Sequence, residues 1–373
     1  MAVDLKILIT GAKGFIAKNL IATLKTKKNN QILKFDKDTP IEMLDDYCQR
    51  ADFVFHLAGI NRPNEEKEYM EGNFGFTLNL LEKLKQNKNT CPIVLSSSIQ
   101  AILDNSYGKS KKAGEDLMFE YEQKTGAKVL VYRFPNVFGK WSRPNYNSVI
   151  ATFCYNIAND LPLTVNDADV RLNLVYIDDL VKELMNAMSG KENKKGKFCE
   201  VSTVYTKRLG EIVDLIRYYK KSREDLTLSD MSDEFNKKLY STYLSFLSED
   251  DFRYPLKMNI DERGSFTELL KLANHGQVSI NISKKGVVKG NHWHHTKNEK
   301  FIVVSGRGVI RFRKIDSEKI FEYNVDSEKL EVVDIPVGYV HNIENLGDCD
   351  MVTIMWANEI FSKDLADTYY EEV

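Results

Sequence analysis

The chain has 373 residues, of which 52 are basic and 54 acidic, so its formal net charge is −2. This balance provides no general attraction to nucleic acid or to an anionic membrane, and we expect neither as a partner. A single hydrophobic core stops growing below this length, so two domains are expected.

The N-terminal segment passes directly from an apolar run into a glycine loop and lacks the pattern of a signal peptide. No apolar run approaches the roughly 20 residues that span a bilayer. Five scattered cysteines without a CxxC pair indicate reduced thiols. We therefore expect a cytoplasmic protein.

The first part of the chain alternates short apolar runs with amphipathic stretches. The apolar runs predict five buried strands: Leu5–Thr10, Gln31–Phe35, Phe53–His56, Ile93–Ser96 and Val129–Arg133. The amphipathic stretches predict three helices: Phe15–Lys25, Asn73–Lys85 and Ser110–Lys124. This alternation is typical of an α/β Rossmann-type fold, with a parallel sheet covered by helices.

From about residue 255 the pattern changes. Short β-rich runs such as VSINISK and EKFIVVSG are separated by Gly, Asp and Asn turns, which predicts an antiparallel sandwich or barrel. The polar stretch Ser245–Tyr254 separates the two patterns. The predicted domains are therefore residues 1–250 and residues 251–373.

A glycine loop joins the first predicted strand to the first helix, with the spacing GxxGxxA from Gly11 through Gly14 to Ala17. One glycine allows a tight turn, and another lets the backbone approach a pyrophosphate at the positive helix end. Because the loop follows a strand, it predicts a dinucleotide site that includes Phe15 and Ile16. A plain structural turn is the alternative.

Further cofactor contacts are expected after the second strand. Asp36 would accept hydrogen bonds from a ribose 2′-hydroxyl, which favours NADH, whereas Lys37 and Lys13 could neutralise the 2′-phosphate of NADPH. The sequence alone leaves both open. The remaining predicted contacts flank the third strand: Asp52, Leu57 and Ala58.

Tyr107 and Lys111 are four residues apart and so share one helix face. The ammonium can stabilise a phenolate, which would lower a tyrosine pKa from about 10 toward the range useful in acid–base catalysis. Ser98, in a serine run that closes a strand, would hold the substrate oxygen, with Ser97 as second choice. Taken alone, such a Tyr/Lys pair is common on surfaces; the glycine loop upstream favours catalysis.

Residues 5–245 resemble the extended short-chain dehydrogenase/reductases, a family of nucleotide-sugar reductases and epimerases. The resemblance includes the glycine loop, Tyr-x-x-x-Lys, RFPNVFG at 133–139 and RLNLVYIDD at 171–179. It implies Tyr107 as proton donor and Lys111 on the nicotinamide ribose, and it favours NADPH. It also implies substrate contacts from Asn73 and, to the nucleotide diphosphate, Arg171. For Asn136 and Asp178, turn and capping roles are the alternative.

Four of the six histidines lie in two segments, Gly286–Gly306 and Pro336–Asn345, which contain G(x)5HxH(x)4E(x)6G and PxGxxHxxxN. These are the two motifs of the cupins, all-β double-stranded helix (jelly-roll) domains, although the usual leading glycine of the second is absent. Histidines two apart on a strand face the same side. With a glutamate and a distant histidine they offer ligands for a divalent ion. The predicted metal ligands are His292, His294, Glu299 and His341. Zinc is the first choice, with nickel, manganese and iron open, and satisfied polar residues in a barrel are the alternative.

The stretch DERGSFTE at 261–268 resembles the D-x-R-G-x-F-x-E of the nucleotide-linked 4-keto-6-deoxysugar 3,5-epimerases, which are cupins. The resemblance implies substrate contacts from Arg263 and Glu268. The catalytic histidine of that family falls on His292, which we assign to the metal, so the general base stays open. Its candidates are Lys289, His295, Lys300 and Tyr339, while Asn291 and His295 are expected outside the ligand shell.

A reductase followed by such a cupin resembles the bifunctional capsular-polysaccharide enzymes of the UDP-N-acetyl-L-fucosamine pathway. The resemblance implies a UDP-linked 4-keto-6-deoxy amino sugar as substrate, epimerised at C3 by the cupin and reduced at C4 with NADPH. A single-activity enzyme with a non-catalytic cupin and a nucleotide-sensing regulator are the alternatives. Because cupins have exposed sheet edges, we expect a homodimer formed through residues 255–373.

Overall fold

The structure is a computed structural model that describes residues 5–27, 30–272, 276–315, 317–360 and 367–373. The chain divides into two compact units, Met1–Arg217 with Ser232–Ser248 and Tyr218–Met231 with Glu249–Val373. The predicted boundary at residue 250 lies close to the division after Ser248. Tyr218–Met231 differs from the prediction, because this segment belongs to the second unit.

The first unit contains ten described strands, which form one seven-stranded and one three-stranded sheet. They are β1 (Leu5–Thr10), β2 (Asn30–Phe35), β3 (Phe53–His56), β4 (Ile93–Ser98), β5 (Val129–Phe134), β6 (Asn136–Phe138), β7 (Arg171–Tyr176), β8 (Lys194–Lys195), β9 (Phe198–Cys199) and β10 (Tyr205–Arg208). The larger sheet has the order β2-β1-β3-β4-β5-β9-β8, and its first six strands pair in parallel. The smaller sheet has the order β10-β7-β6. The predicted parallel sheet is confirmed.

Helices connect or follow these strands. They are α1 (Phe15–Lys25), α2 (Glu42–Arg50), α3 (Lys67–Tyr69), α4 (Phe76–Gln86), α5 (Ser106–Thr125), α6 (Val149–Ala158), α7 (Ile177–Met188), α8 (Leu209–Asp225) and α9 (Glu234–Leu244). The last helix but one, α8, continues into the segment Tyr218–Met231 of the second unit. A π-helical segment, Met70–Gly75, precedes α4, and 3₁₀ turns occupy Ile99–Ile102 and Glu249–Phe252. No helix in the described ranges is long and apolar enough to cross a bilayer.

The strands of the parallel sheet are apolar on both faces. On β1, Ile7 and Ile9 belong to one buried cluster and Leu8 to another, as side-chain alternation along a strand requires. Leu20 of α1 completes the first cluster, and Leu80 of α4 the second. Helices therefore cover both faces, and loops emerge at the carboxyl edge of the sheet.

The second unit contains eleven described strands in two antiparallel sheets, with the orders β11-β12-β13-β20-β15-β18 and β17-β16-β19-β14-β21. They are β11 (Met258–Asp261), β12 (Gly264–Leu272), β13 (Gly276–Ser283), β14 (Val288–Trp293), β15 (Glu299–Ser305), β16 (Arg307–Lys314), β17 (Ile320–Asp326), β18 (Val333–Ile335), β19 (Tyr339–Asn345), β20 (Met351–Ala357) and β21 (Tyr369–Tyr370). Phe301 and Val303 of the six-stranded sheet pack with Phe312 and Ile343 of the other. The predicted all-β barrel is confirmed.

Candidate functional site

A cavity of about 1640 Å³ lies in the first unit, at the carboxyl ends of its parallel strands. Residues that follow or end successive strands line it, including Gly11 after β1, Asp36 after β2, Leu57 after β3 and Ser98 at the end of β4. Ligands of open α/β sheets bind at this edge. The cavity is therefore the candidate active site of this unit.

The glycine loop has the geometry of a phosphate-binding turn. Gly11 has φ of +65°, and a Cβ on it would lie 2.7 Å from the Cα of Ala58. The amide of Gly14 donates to the Gly11 carbonyl at 2.8 Å, and α1 begins at the next residue, Phe15. Gly11, Gly14, Phe15, Ile16 and Ala58 all line the cavity. The backbone amides at the start of α1 can thus meet a pyrophosphate.

Asp36 is tied to the glycine loop. Its carboxylate accepts hydrogen bonds from the amides of Lys13 at 2.7 Å and Lys37 at 2.8 Å. The Lys13 ammonium pairs with Asp38, a residue that the sequence did not single out. Asp36, Lys13 and Lys37 all line the cavity. Asp36 therefore has a structural role whichever nicotinamide binds.

Tyr107, Lys111 and Ser98 all line this cavity. The Tyr107 hydroxyl donates to Asn61 Oδ1 at 3.1 Å, and Lys111 Nζ lies 5.9 Å from the centre of the Tyr107 ring. Lys111 Nζ also donates to the Ser96 carbonyl at 3.2 Å. These contacts bring a proton donor, a cation and a second hydroxyl to one place.

The structure favours Ser98 over Ser97 for the substrate oxygen. The Ser97 hydroxyl donates to the buried carboxylate of Glu115 at 2.6 Å, and Arg133 pairs with the same carboxylate at 2.6 Å. Ser97 is therefore committed to this buried network. The Ser98 hydroxyl accepts from the amide of Gln100 at 3.1 Å, and it interacts with the Tyr107 hydroxyl instead of a buried carboxylate.

Burial shifts both titratable groups of this set. It lowers the pKa of Lys111 to about 8, against a smaller opposing effect of Glu115. Burial also raises the pKa of Tyr107, while a hydrogen bond with Ser98 lowers it by a smaller amount. The sequence led us to expect a lowered Tyr107 pKa. The shift has the opposite sign because burial of the phenolate outweighs its stabilisation.

Asn73 does not lie among the residues that line the cavity. Its Oδ1 accepts from the amide of Ile60 at 2.9 Å, and its Nδ2 donates to the Ser110 hydroxyl at 3.0 Å. Ser110 in turn donates to the carbonyl of Tyr107 at 2.8 Å. Asn73 therefore ties a cavity loop to the helix of Tyr107, and its predicted substrate contact stays a prediction.

Two other predicted contacts also lie apart from the cavity. Asp52 precedes β3, at the opposite end of the strand, where it accepts from the amide of Lys6 at 2.8 Å. Arg171 is exposed at the start of β7 and is not among the lining residues. Of the two uncertain positions, Asn136 lines the cavity, whereas Asp178 pairs with Lys140 at 2.5 Å.

The sequence analysis missed several residues of this site. Two loop segments with weak sequence signals also line the cavity, and they include Asn61, Arg62, Trp141, Arg143 and Tyr146.

The sequence analysis also assigned no role to His56, the last residue of β3. It is buried between the hydroxyls of Thr10 at 2.7 Å and Thr77 at 2.9 Å, and burial lowers its pKa to about 3. A histidine within an apolar strand was the one available signal.

The four predicted metal ligands of the second unit converge. Their ligand atoms all lie within 4.8 Å of one another. His292 and His341 are direct partners on β14 and β19, and Glu299 begins β15 in the facing sheet. Glu299 Oε2 lies 3.4 Å from Nε2 of both His294 and His341. A bulge after Gly290 turns His292 toward the group.

Polar contacts hold these histidines in a ligand orientation. Nδ1 of His294 contacts the carbonyl of Asp367, and Nδ1 of His341 lies 3.4 Å from the carbonyl of Tyr339. Their Nε2 atoms and Glu299 Oε2 are buried without a hydrogen-bond partner in the part of the chain that the structure describes. Because buried polar atoms need a partner, this set fits a divalent cation. Burial also lowers the pKa of His292 to about 4, which keeps its imidazole neutral.

The predicted sugar contacts of this unit differ in placement. Arg263 is exposed and pairs with Asp261 at 2.6 Å. Glu268 lies opposite Ser279 on the neighbouring strand, Ser279 lies opposite Met355 of β20, and Met355 lies opposite Phe301 of the core. Directly opposite residues point to the same face of a sheet, so Glu268 shares the interior face with Phe301. Glu268 is thus placed toward the barrel interior, whereas Arg263 lies in a hairpin.

The structure also separates the candidates for the general base. Lys300 is exposed and pairs with Asp334, and His295 is exposed beside Trp293. Tyr339 packs near Phe321. In contrast, Lys289 Nζ donates to Asn281 Oδ1 and to the Ile282 carbonyl, both at 2.8 Å, and burial lowers its pKa. Asn291 directly precedes His292, and its Oδ1 accepts a hydrogen bond from Asn342 Nδ2 at 2.8 Å.

Known proteins resemble both units. Residues 7–201 match the NAD dependent epimerase/dehydratase family, and residues 259–369 match the polysaccharide biosynthesis C-terminal domain. The chain is 41% identical over 365 residues to the UDP-2-acetamido-2,6-beta-L-arabino-hexul-4-ose reductase of Pseudomonas aeruginosa. The match covers 98% of each chain.

Solved structures agree with these matches. The capsular polysaccharide assembling protein CapF from Staphylococcus aureus is 54% identical with a TM-score of 0.94, covering 98% of this chain and 100% of that one. A UDP-N-acetylglucosamine 4-epimerase from Methanobrevibacter ruminantium, 20% identical with a TM-score of 0.55 over 66% of this chain and 99% of that one, shares the fold of the first unit. The resemblance to capsular-polysaccharide enzymes is confirmed. With its cavity, its glycine loop and these matches, the chain belongs to the NAD dependent epimerase/dehydratase family.

Proposed function

We propose that this chain is a bifunctional nucleotide-sugar enzyme of capsular polysaccharide synthesis. Its substrate is a UDP-2-acetamido-2,6-dideoxy-4-hexulose, which the second unit epimerises at C3. The first unit then reduces the C4 ketone with NADPH to UDP-N-acetyl-6-deoxy-L-talosamine. The placement of Tyr107, Lys111 and Ser98 in one cavity at the sheet edge carries this proposal, and the reductase activity named for the 41% identical relative supports the substrate class.

In the reductase step, the Tyr107 hydroxyl donates its proton to the sugar oxygen at C4. The raised pKa of Tyr107 keeps this proton in place until the oxygen becomes basic. Ser98 donates a hydrogen bond to the same oxygen, and the Lys111 ammonium stabilises the phenolate that remains. When bound, the nicotinamide supplies the hydride.

In the epimerase step, the proton at C3 is removable because it lies next to a ketone. His292, His294, Glu299 and His341 would hold one divalent ion, with zinc as first choice, which supplies Lewis-acid polarisation of the C4 carbonyl. Among the candidate bases, Lys289 is favoured because its side chain is held between the two sheets and its pKa is lowered.

We propose NADPH as the coenzyme, with NADH as the alternative. Lys37 is exposed at the cavity, and its amide rather than its ammonium is used by Asp36. This leaves the ammonium for a 2′-phosphate. Lys13 is less suited, because it pairs with Asp38.

We also propose that the chain forms a homodimer through residues 255–373. The strand β11 lies at an edge of its sheet and exposes Ile260 by 72% and Met258 by 50%. Apolar edge strands are usually paired or covered. Light scattering at micromolar protein should give twice the chain mass; a mass of 42.9 kDa would contradict this arrangement.

One experiment separates this function from its alternatives. The protein is incubated with the UDP-4-keto sugar in heavy water, with and without NADPH. We expect deuterium at C3 without coenzyme, and oxidation of NADPH when it is present. Oxidation of NADPH without deuterium at C3 would indicate a single-activity reductase. The absence of both changes would indicate a regulator. Metal-stripped protein should lose the exchange and keep the reduction of an already epimerised ketone.

A further inference from the structure

Two groups of residues line the cavity of the first unit. The first, which we call the coenzyme side, consists of the glycine loop, Asp36 and Lys37. The second side consists of the segments 61–64 and 141–149; Asn61 joins it to Tyr107, and the hydrogen bond from Arg62 to the Asn145 carbonyl joins its two segments. If the coenzyme binds the first group, as the proposed function requires, the second is available to the nucleotide part of the sugar substrate.

Two arginines supply the positive charge on this second side. Arg62 Nη1 donates to the carbonyl of Asn145 at 2.9 Å, so its guanidinium lies against the other segment. The Arg143 amide donates to Asn147 Oδ1 at 2.9 Å, within that same segment. Among the described residues, neither arginine has a carboxylate partner at ion-pair distance. Glu66 and Glu68 also line the cavity, but neither lies at ion-pair distance from these guanidinium groups, which are therefore available to a phosphate.

Of the other cations that line the cavity, Lys18 lies on α1 and Lys37 follows β2, both beside the glycine loop on the coenzyme side. Lys13 pairs with Asp38, and Lys111 donates to the Ser96 carbonyl. Arg171, to which the motif resemblance assigned the diphosphate, is exposed and does not line the cavity. A diphosphate on the second side would thus meet Arg62 and Arg143 first.

The second segment also offers an aromatic surface. Trp141 lines the cavity, keeps 52% of its surface exposed and has φ of +66°. Asn145 has φ of +56° in the same segment. Left-handed backbone at residues other than glycine costs free energy, and such strain is concentrated at binding sites. Lys140 Nζ lies 5.7 Å from the centre of the Trp141 ring, and the exposed part of the indole offers a surface on which a base can stack.

We propose that Arg62 and Arg143 bind the diphosphate of the nucleotide sugar, and that Trp141 stacks on its base. Guanidinium groups suit this role because they donate paired hydrogen bonds to phosphate oxygens. The inference rests on the proposed function for its ligand class. It assigns the diphosphate to two loop residues instead of the motif arginine.

Calorimetric titration with UDP and with uridine tests the assignment. The variants are Arg62→Ala, Arg143→Ala and Arg171→Ala, with Arg208→Ala as a matched control, since Arg208 is an exposed arginine outside the cavity. We expect each of the first two to weaken UDP binding roughly 10- to 100-fold, as loss of a charged hydrogen bond does, and to leave uridine binding unchanged. NADPH binding by every variant verifies the fold.

Wild-type affinity for UDP in both Arg62→Ala and Arg143→Ala would overturn the inference, as would a loss confined to Arg171→Ala. Either result leaves the proposed function standing, because the wild-type chain still binds UDP. Failure of the wild-type chain to bind UDP would instead contradict the proposed function itself, and the inference with it. Loss of uridine binding in Trp141→Ala would support the stacking role.

Discussion

The two units build their candidate sites in different ways. In the first unit, Tyr107 and Ser98 belong to different elements and meet at the edge of a sheet, where loops complete a large cavity. In the second, His292 and His341 are cross-strand neighbours inside a barrel, and buried ligand atoms converge with no hydrogen-bond partner among the described residues. The first site is therefore organised around space for large ligands. The second brings together buried ligand atoms that suit a single divalent cation.

This contrast predicts that each activity can be removed without the other. Tyr107→Phe removes the proton donor of the first site, and loss of one general acid typically costs about 10²–10⁴-fold in rate. NADPH oxidation should fall by that amount, while deuterium exchange at C3 continues. NADPH binding, followed by fluorescence, is the control. Near-normal oxidation of NADPH by this variant would contradict the proposed role of Tyr107 as proton donor.

The converse change is His341→Ala, which removes a ligand of the second site. Even the loss of a ligand's supporting group typically costs 10- to 100-fold in metal affinity, so a larger loss is expected here. Metal analysis should show the ion absent, and exchange at C3 should stop. Reduction of an epimerised ketone should persist. Melting curves are needed beside these assays, since metal binding also contributes to folding. Full-rate exchange by folded, metal-free protein would make the ion structural.

The activity of the reductase site should also depend on pH. Burial lowers the pKa of Lys111 to about 8, so its positive charge is present below pH 8 and is lost as the pH rises through that value. We expect the reductase rate to fall about tenfold per pH unit above this point. Lys111→Arg, which stays charged, should remove that fall from the profile even if its overall rate is lower. An unchanged wild-type rate to pH 10 would show that the charge is not needed.

A smaller effect is expected at the entrance of the coenzyme. Lys37→Ala should weaken NADPH relative to NADH by roughly 10-fold, because one charge-assisted contact to the 2′-phosphate is lost. Steady-state rates with both coenzymes measure this ratio, and Lys34→Ala, on the strand just before, is the control. A wild-type preference for NADH would show that Asp36 governs the site.

Local motifs predicted which residues come together in each unit. Tyr107 and Lys111 share a face because a helix repeats every 3.6 residues, and His292 and His294 share one because a strand repeats every two. The four ligands converge as the cupin motifs predicted. The parallel sheet and the barrel were predicted for the same reason, since short-range periodicity largely sets fold class.

The tertiary structure decided what lies around those residues. It directs the Ser97 hydroxyl to Glu115 and the Asn73 side chain to the amide of Ile60 through hydrogen bonds. It also leaves Arg171 outside the cavity, whereas Arg62 and Arg143 line it. These outcomes depend on contacts between segments far apart in the chain. The identity of a loop residue does not tell which partner packing will bring to it, whereas the period of a helix or strand is set by the backbone alone.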